Sequence, residues 1–186
     1  ELRMIAYKGF QKGLVCLGHQ FKIGVNHTSE ANCGRNGFHC AEDPLDCLTY
    51  YSNMDTSEYC IVNAGGDVHE DGTDTKISCT ELTIIKKMTR MEFFLQALAF
   101  IADHPKRAWN SRVSKDKGVA ANHQRFTVVR GRDPIACGQA GSILALAKED
   151  DEGNIIQVAL TEVDDSKVRS NTWYGIDLVE RKGVLV

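Results

Sequence analysis

The stretch KISCTELTIIKKMTRMEFFLQALAFIADH, residues 76–104, decides the fold class because a strand pattern passes directly into a helix pattern. Its first ten residues are rich in β-branched side chains, which predicts a strand. Thr89 and Glu92 form a capping box, and His104 precedes a proline, so we predict a helix between Thr89 and His104. The apolar stripe predicted for this helix comprises Met91, Phe94, Leu95, Leu98 and Ile101, widened by Ala97 and Phe100. The stretch therefore predicts an α+β class.

Upstream of this stretch, short apolar runs predict further strands. These runs lie at residues 4–7, 21–25 and 59–62. Gly65-Gly66 is predicted to end the last of them, and Asp71-Gly72 to form a turn before the next strand. Asp43-Pro44 predicts the start of a short helix, because Asp43 can cap it and proline suits its first position. We therefore predict an N-terminal sheet, mixed or antiparallel, with a short helix and one amphipathic helix.

Downstream of His104 the pattern becomes polar and then β-rich. We predict a linker at 105–117 between an N-terminal α+β domain at 4–104, with Met4 as the natural start, and a β-rich C-terminal domain at 118–186. The acidic turn at 150–154 lies between two apolar runs and predicts a hairpin. A last strand pair is predicted at residues 173–176 and 183–186.

Composition limits the function classes. The 186 residues carry 22 Lys and Arg against 25 Asp and Glu, a net charge of −3, so a nonspecific nucleic-acid binder is not expected. No apolar run is long enough to cross a bilayer, and we see no export signal. We therefore expect a cytosolic protein whose seven cysteines are reduced thiols. The oligomeric state stays open.

Several motifs together resemble an uncharacterised domain family of phage and prophage proteins. The segments that carry the resemblance are Tyr7-Lys8-Gly9-Phe10, Gly37-Phe38-His39-Cys40, Asp43-Pro44-Leu45-Asp46, Tyr50-Tyr51, Gly65-Gly66-Asp67 and Asp74-Thr75-Lys76-Ile77-Ser78. The stretch from Asp164 to Trp173-Tyr174 also looks like the usual terminus of these proteins. Many relatives carry a repeat between the two parts, which here is missing or reduced to residues 118–141. The resemblance implies a phage context and assigns no activity.

One enzymatic hypothesis is an ADP-ribosyltransferase-like enzyme that uses NAD. Such a site needs a polar group for the ribose, an aromatic ring for nicotinamide and a glutamate that stabilises charge on the ribose. The candidate residues are Tyr7, Lys8 or His39, Tyr50 or Tyr51, and Glu81, of which Tyr7, His39, Tyr51 and Glu81 form the catalytic prediction. The first strand lacks the usual His or Arg of these enzymes, and no Ser-Thr-Ser strand or paired glutamate motif occurs.

Metal sites are weaker hypotheses. Cys33, Cys40 and Cys47, with His39 and Cys60 nearby, have six residues between successive cysteines, whereas zinc sites use close pairs. Asp67, Asp71 and Asp74 are acidic, but their spacing does not fit a calcium loop. We therefore predict no metal site, and no cofactor unless the NAD hypothesis holds.

A binding function remains the favoured interpretation. Trp109 lies among Lys106, Arg107 and Arg112, and a large ring among cations is typical of protein-binding surfaces. The alternative is that Trp109 only packs between the two halves of the chain. We predict a phage or prophage accessory protein that binds and modulates a host protein, as an inhibitor of an antiviral defence system. The transferase is the alternative.

Overall fold

A computed structural model describes residues 4–29, 36–70, 72 and 74–184. The chain consists of two compact units, Glu1–Phe93 and Phe94–Val186. Strands are the commonest element among the described residues, which contain a single α-helix, and this agrees with the predicted α+β class only in coarse terms.

The N-terminal unit is an antiparallel sheet, the second of the two arrangements that the sequence allowed. Its strands are β1 (Met4–Gln11), β2 (Val15–Cys16), β3 (His19–Gln20), β4 (Gly24–His27), β5 (Phe38–Ala41), β6 (Ser57–Glu70) and β7 (Lys76–Lys87). Every pairing among them is antiparallel. A 3-10 helix at Pro44–Thr49 follows β5, as Asp43-Pro44 predicted.

Four of these strands close into a ring. β1 pairs with β5, β5 with β7, β7 with β6, and β6 again with β1. The β1–β6 pairing extends over eight residue pairs, whereas β1 and β5 pair only at Tyr7 and Ala41. The buried side chains of the ring include Ala6, Phe10, Phe38, Cys40, Cys60, Val62, Ile77, Cys79 and Leu82. The β1–β5 seam is therefore the weakest closure of an otherwise well-paired ring.

Helix α1 (Arg90–Asp103) confirms the predicted helix and its cap. The Glu92 amide donates to Thr89 Oγ1 at 3.1 Å, and the Thr89 amide donates to Glu92 Oε1 at 3.5 Å. The predicted stripe was wrong at one position, because Leu95 is 51% exposed whereas Phe93 is fully buried. Phe93 packs against Tyr59, with 4.8 Å between ring centroids. The buried face thus includes Phe93 in place of Leu95.

The C-terminal unit contains a four-stranded sheet in the order β11-β10-β9-β8. Its strands are β8 (Val113–Val119), β9 (Phe126–Cys137), β10 (Ile143–Glu149) and β11 (Ile155–Glu162). β9 runs parallel to both of its neighbours, and β10 and β11 form the predicted antiparallel hairpin. The connections between the parallel strands are short, and the β8–β9 register shifts between Lys115 and Lys117. Asp116, at φ 66°, occupies this irregularity against Gly131.

Two predicted strand limits in the N-terminal unit were wrong. The strand predicted at 21–25 begins only at Gly24, because the Asn26 side chain binds the backbone N–H and C=O of Lys22 and turns the chain there. Gly65-Gly66 does not end β6. The register with β7 shifts between Gly65 and Val68, so the pair forms a bulge inside a long strand.

The prediction of a last strand pair was also wrong for the residues of that pair that the structure describes. Tyr174 makes only isolated bridges, to Ala136 and Glu180, between turns in which Asn171 and Leu178 have positive φ. Residues 185 and 186 lie outside the described residues. The linker at 105–117 stays a prediction as a domain boundary, but residues 113–117 within it belong to β8.

Candidate functional site

A cleft of about 480 Å³ opens in the N-terminal unit at the β1–β5 seam. The two strands diverge after the Tyr7–Ala41 pair, and the 3-10 helix and the β2–β3 hairpin border the gap. The side chains that matter for its chemistry are Tyr7, Lys8, Cys16, His39, Tyr50 and Tyr51. Residues from four separate segments therefore meet in one cavity.

Lys8 lies at the open seam with its side chain buried. The residue is 5% exposed, and Nζ donates to the His39 backbone oxygen at 2.6 Å. The same nitrogen lies 3.6 Å from Cys16 Sγ and about 5 Å from the ring centroids of Phe10 and Phe21. In the part of the chain that the structure describes, no carboxylate forms an ion pair with Lys8. The ammonium thus bridges β1 to β5 where the backbone pairing has stopped.

Tyr51 forms a second wall of the cleft. Its hydroxyl donates to Cys16 Sγ at 3.0 Å, and its backbone oxygen accepts a hydrogen bond from the Tyr59 hydroxyl. Burial, together with the contact to Cys16, raises the pKa of Tyr51, so the phenol keeps its proton. The ring can approach β1 this closely only because residue 9 is glycine, since a Cβ there would lie 2.8 Å from Tyr51 Cδ2.

His39 contributes a neutral imidazole. Burial, with Lys76 and Lys8 adding positive charge nearby, lowers the pKa of His39. Among the described residues, its Nε2 atom is buried and has no hydrogen-bond partner. A neutral histidine beside two ammonium groups avoids a third positive charge in the same cleft.

The 3-10 helix is fixed by two carboxylates. Asp43 accepts a hydrogen bond from the Leu45 amide at 2.9 Å. Asp46 Oδ2 accepts from the Thr75 amide at 3.0 Å and from its hydroxyl at 2.5 Å. Cys47 receives a hydrogen bond from the Gly9 backbone, while burial raises its pKa to about 12. Asp46 and Cys47 therefore hold the wall of the cleft in place.

The mouth of the cleft combines an aromatic ring, an ammonium group and an exposed leucine. Lys76 Nζ lies 5.0 Å from the centroid of the Tyr50 ring, which is 58% exposed. Leu17, at the tip of the β2–β3 hairpin, is 92% exposed and has a φ of 49°. A positive φ is costly for leucine. The hairpin therefore presents a large apolar side chain to solvent at the rim.

Three of the four predicted catalytic residues lie in this cleft. Tyr7, His39 and Tyr51 line it, together with Lys8, whereas Glu81 is not among its described lining residues. Glu81 lies on β7, opposite Gly65 of β6. Its carboxylate is 3.9 Å from His27 Nδ1. Cys16 was not predicted at all. Its partners lie 8 and 35 residues away in sequence, so no local motif marks it.

The residues considered for metal sites do not form one in the described chain. No group of three or more His, Cys, Asp or Glu side chains there could hold an ion. Cys40 instead shares a hydrogen bond with Cys79 inside the ring. Cys33 and Asp71, which completed the zinc and calcium hypotheses, lie outside the described residues.

The predicted partner-binding segment lies in the C-terminal unit. Trp109 is 40% exposed and stacks on Arg130, with the guanidinium carbon 4.4 Å from the ring centroid. Lys106 Nζ donates to the backbone oxygen of Glu152, and Arg107 lies 5.9 Å from the centroid of the Phe100 ring. The Arg112 amide donates to Asn110 Oδ1. Trp109 therefore has both a packed face and an accessible one.

These observations define the N-terminal unit as an antiparallel β-domain with a polar, aromatic cleft at an open seam. Residues 4–96, half of the chain, match the family described as a domain of unknown function, DUF7666, and the chain belongs to that family. No curated protein and no solved structure matches the chain. Within the described residues, no helix is long and apolar enough to cross a membrane.

Proposed function

We propose that this chain is a phage or prophage accessory protein that binds a host component in the bacterial cytoplasm through the cleft of its N-terminal unit. The motif resemblance supports the phage context. The observation that carries the binding role is the cleft of about 480 Å³, in which tyrosine rings and ammonium groups meet. Removing such a component from its normal partners is how the protein would inhibit an antiviral defence system.

The chemistry of the cleft favours a ligand with a flat ring and an anionic group, as in a nucleotide. Tyr7, Tyr50 and Tyr51 offer aromatic surface for a base. Lys76 at the mouth and Lys8 at the seam offer positive charge for a phosphate or carboxylate. Two carboxylates also line the cleft: Asp46 accepts hydrogen bonds from Thr75, and Asp74 accepts one from the Lys76 amide.

Calorimetric titration with ATP, AMP, NAD and adenosine tests this proposal. We expect at least one phosphate-bearing ligand to bind, and Lys76→Met to weaken its binding about ten-fold by removing a charged hydrogen-bond donor. Lys86→Met is the matched control, because Lys86 lies on the same strand, outside the cleft, and pairs with Glu92. Absence of heat across the panel, or equal affinity in the two variants, would contradict the proposal.

A contact with a host protein at Trp109 is a second route to the same biological role. Trp109 belongs to the cationic segment 106–112, is 40% exposed, and has one face of its ring held by Arg130. A rigid, partly exposed tryptophan is typical of binding hot spots. Capture from bacterial lysate by the wild-type protein, lost in Trp109→Ala, would support this route. Equal capture by the variant would contradict it.

The ADP-ribosyltransferase-like enzyme is the alternative function, favoured by the shared cleft position of Tyr7, His39 and Tyr51. This hypothesis is weakened by the position of Glu81, whose carboxylate faces His27. The residue predicted to stabilise charge on the ribose is therefore not among the described residues that line the cleft. Release of nicotinamide from NAD is the direct assay. No release by the wild-type protein, or full activity in Glu81→Ala, would rule out the mechanism with Glu81 as catalytic residue.

A further inference from the structure

The sulfur of Cys16 receives two hydrogen-bond donors from different parts of the chain. Lys8 Nζ lies 3.6 Å from Sγ and the Tyr51 hydroxyl lies 3.0 Å from it. Tyr51 keeps its proton, because burial and this contact raise its pKa, so the phenol acts as donor and the sulfur as acceptor. An ammonium and a phenol directed at one sulfur are the surroundings in which a cysteine reacts as a nucleophile.

Cys16 is also accessible, unlike the other cysteines that the structure describes. It is partly exposed and lines the cleft, whereas Cys40, Cys47, Cys60, Cys79 and Cys137 are buried. Burial raises the pKa of Cys47 to about 12 and that of Cys60 to about 11, so these thiols stay protonated. Access and donors therefore coincide at Cys16.

We propose that Cys16 is a covalent modification site for low-molecular-weight disulfides, with Lys8 and Tyr51 as the groups that position and activate its sulfur. This inference shares the cleft with the proposed function but does not require the ligand to be a nucleotide. A small disulfide that carries carboxylates, such as oxidised glutathione, also matches the ammonium groups of Lys8 and Lys76.

The reaction is a thiol–disulfide exchange. Cys16 gives its thiol proton to solvent, and its sulfur attacks one sulfur of the disulfide. The bond between the two sulfurs of the small molecule breaks as the new bond to Cys16 forms. The leaving half takes the electron pair and a proton from solvent. Cys16 is thereby oxidised, the leaving thiol is reduced, and the attached half occupies the cleft.

Intact-protein and peptide mass spectrometry after incubation with oxidised glutathione test the proposal. We expect one glutathione half on Cys16, formed faster than on the buried cysteines and absent in Cys16→Ser. Lys8→Met and Tyr51→Phe should each slow this adduct at least about five-fold, since each removes one donor to sulfur. Lys12→Met is the matched control for charge, because exposed Lys12 lies on the turn between β1 and β2. It should keep the wild-type rate.

Two results would overturn the proposal. One is an unmodified Cys16 in folded wild-type protein. The other is an adduct that forms at the wild-type rate in Tyr51→Phe, which keeps the ring and therefore tests the donor even where Lys8→Met does not fold. Nucleotide binding is read by calorimetry and adduct formation by mass, so failure of the one is distinguishable from failure of the other.

Discussion

The guanidinium of Arg130 stacks on Trp109 and at the same time pairs with Glu149, whose Oε1 lies 2.5 Å from Arg130 Nε. Arg130 is only 3% exposed, and its Nη2 also donates to the backbone oxygen of Pro105 at 3.0 Å. One buried side chain of β9 thus connects the segment after helix α1 to β10. Trp109 is accordingly held in place within the C-terminal unit.

Replacing Arg130 by alanine should destabilise the C-terminal unit by about 3–5 kcal/mol, because the Glu149 carboxylate is left partly buried without its partner. Urea denaturation followed by tryptophan fluorescence measures this loss. Arg132→Ala is the control, since Arg132 pairs with Asp151 at an exposed position where an ion pair contributes little. Equal stability of the two variants would show that Arg130 is not the connecting residue.

Replacing Gly9 by alanine should displace Tyr51 from the wall of the cleft. The added Cβ would lie 2.8 Å from Tyr51 Cδ2, which costs about 1–3 kcal/mol of stability as an overpacked contact. Gly65→Ala is the matched change, because a Cβ there would lie at an ordinary 3.9 Å from the nearest atom, Glu81 Cβ. Thermal unfolding of both variants checks the difference. A Gly9→Ala protein as stable as Gly65→Ala would refute this packing argument.

Replacing Thr89 by alanine removes the cap of helix α1. The hydroxyl accepts the Glu92 amide at 3.1 Å, and loss of an N-cap typically costs about 1 kcal/mol. Thr89→Ser keeps the hydroxyl and should retain most of the stability. Chemical denaturation of the wild type, Thr89→Ala and Thr89→Ser distinguishes a capping role from a packing role for Thr89. A Thr89→Ser protein as unstable as Thr89→Ala would exclude capping.

His39 should make the N-terminal unit less stable in acid. Burial lowers its pKa below the ordinary value of 6.5 that it regains on unfolding. The unfolded chain therefore binds the proton first, so the contribution of His39 is complete above pH 6.5 and is lost as the pH falls toward the lower pKa of the folded state. His39→Gln should reduce this loss between pH 7.5 and 5 in denaturation experiments. An unchanged pH dependence would contradict the assignment.

Local signals in the sequence predicted the elements whose ends are fixed by neighbouring residues. Thr89 and Glu92 lie three positions apart, and both capping hydrogen bonds form as expected. Asp43 likewise caps the 3-10 helix through the Leu45 amide. These contacts depend on spacing along the chain alone, which a sequence displays directly.

Features that depend on strand register could not be predicted in the same way. The pattern Gly65-Gly66 indicated a strand end, but in the structure Gly66 leaves room for the side chain of Thr80 on β7. The Thr80 hydroxyl accepts the Asp67 amide at 2.9 Å and would clash with any side chain at Gly66. Glu81 follows Thr80 on β7, and the separate pairing of β7 with β4 places it beside His27.

The sequence predicted only some residues of the candidate site, because the others are brought together only by the fold. Tyr7, His39 and Tyr51 belong to recognisable motifs, which made them candidates before their positions were known. Cys16 belongs to no motif. Its importance comes from Lys8 and Tyr51, which only the folded hairpin and the 3-10 helix bring to its sulfur.

The open seam between β1 and β5 also bears on how this domain could diversify. The ring is held by the long ladders of β1 with β6 and of β6 with β7, and only one residue pair crosses the seam. The exposed side chains at the mouth of the gap, such as Leu17 and Tyr50, therefore carry little of the architecture. Descendants of one ancestral domain could exchange them to recognise different molecules while retaining the same backbone scaffold.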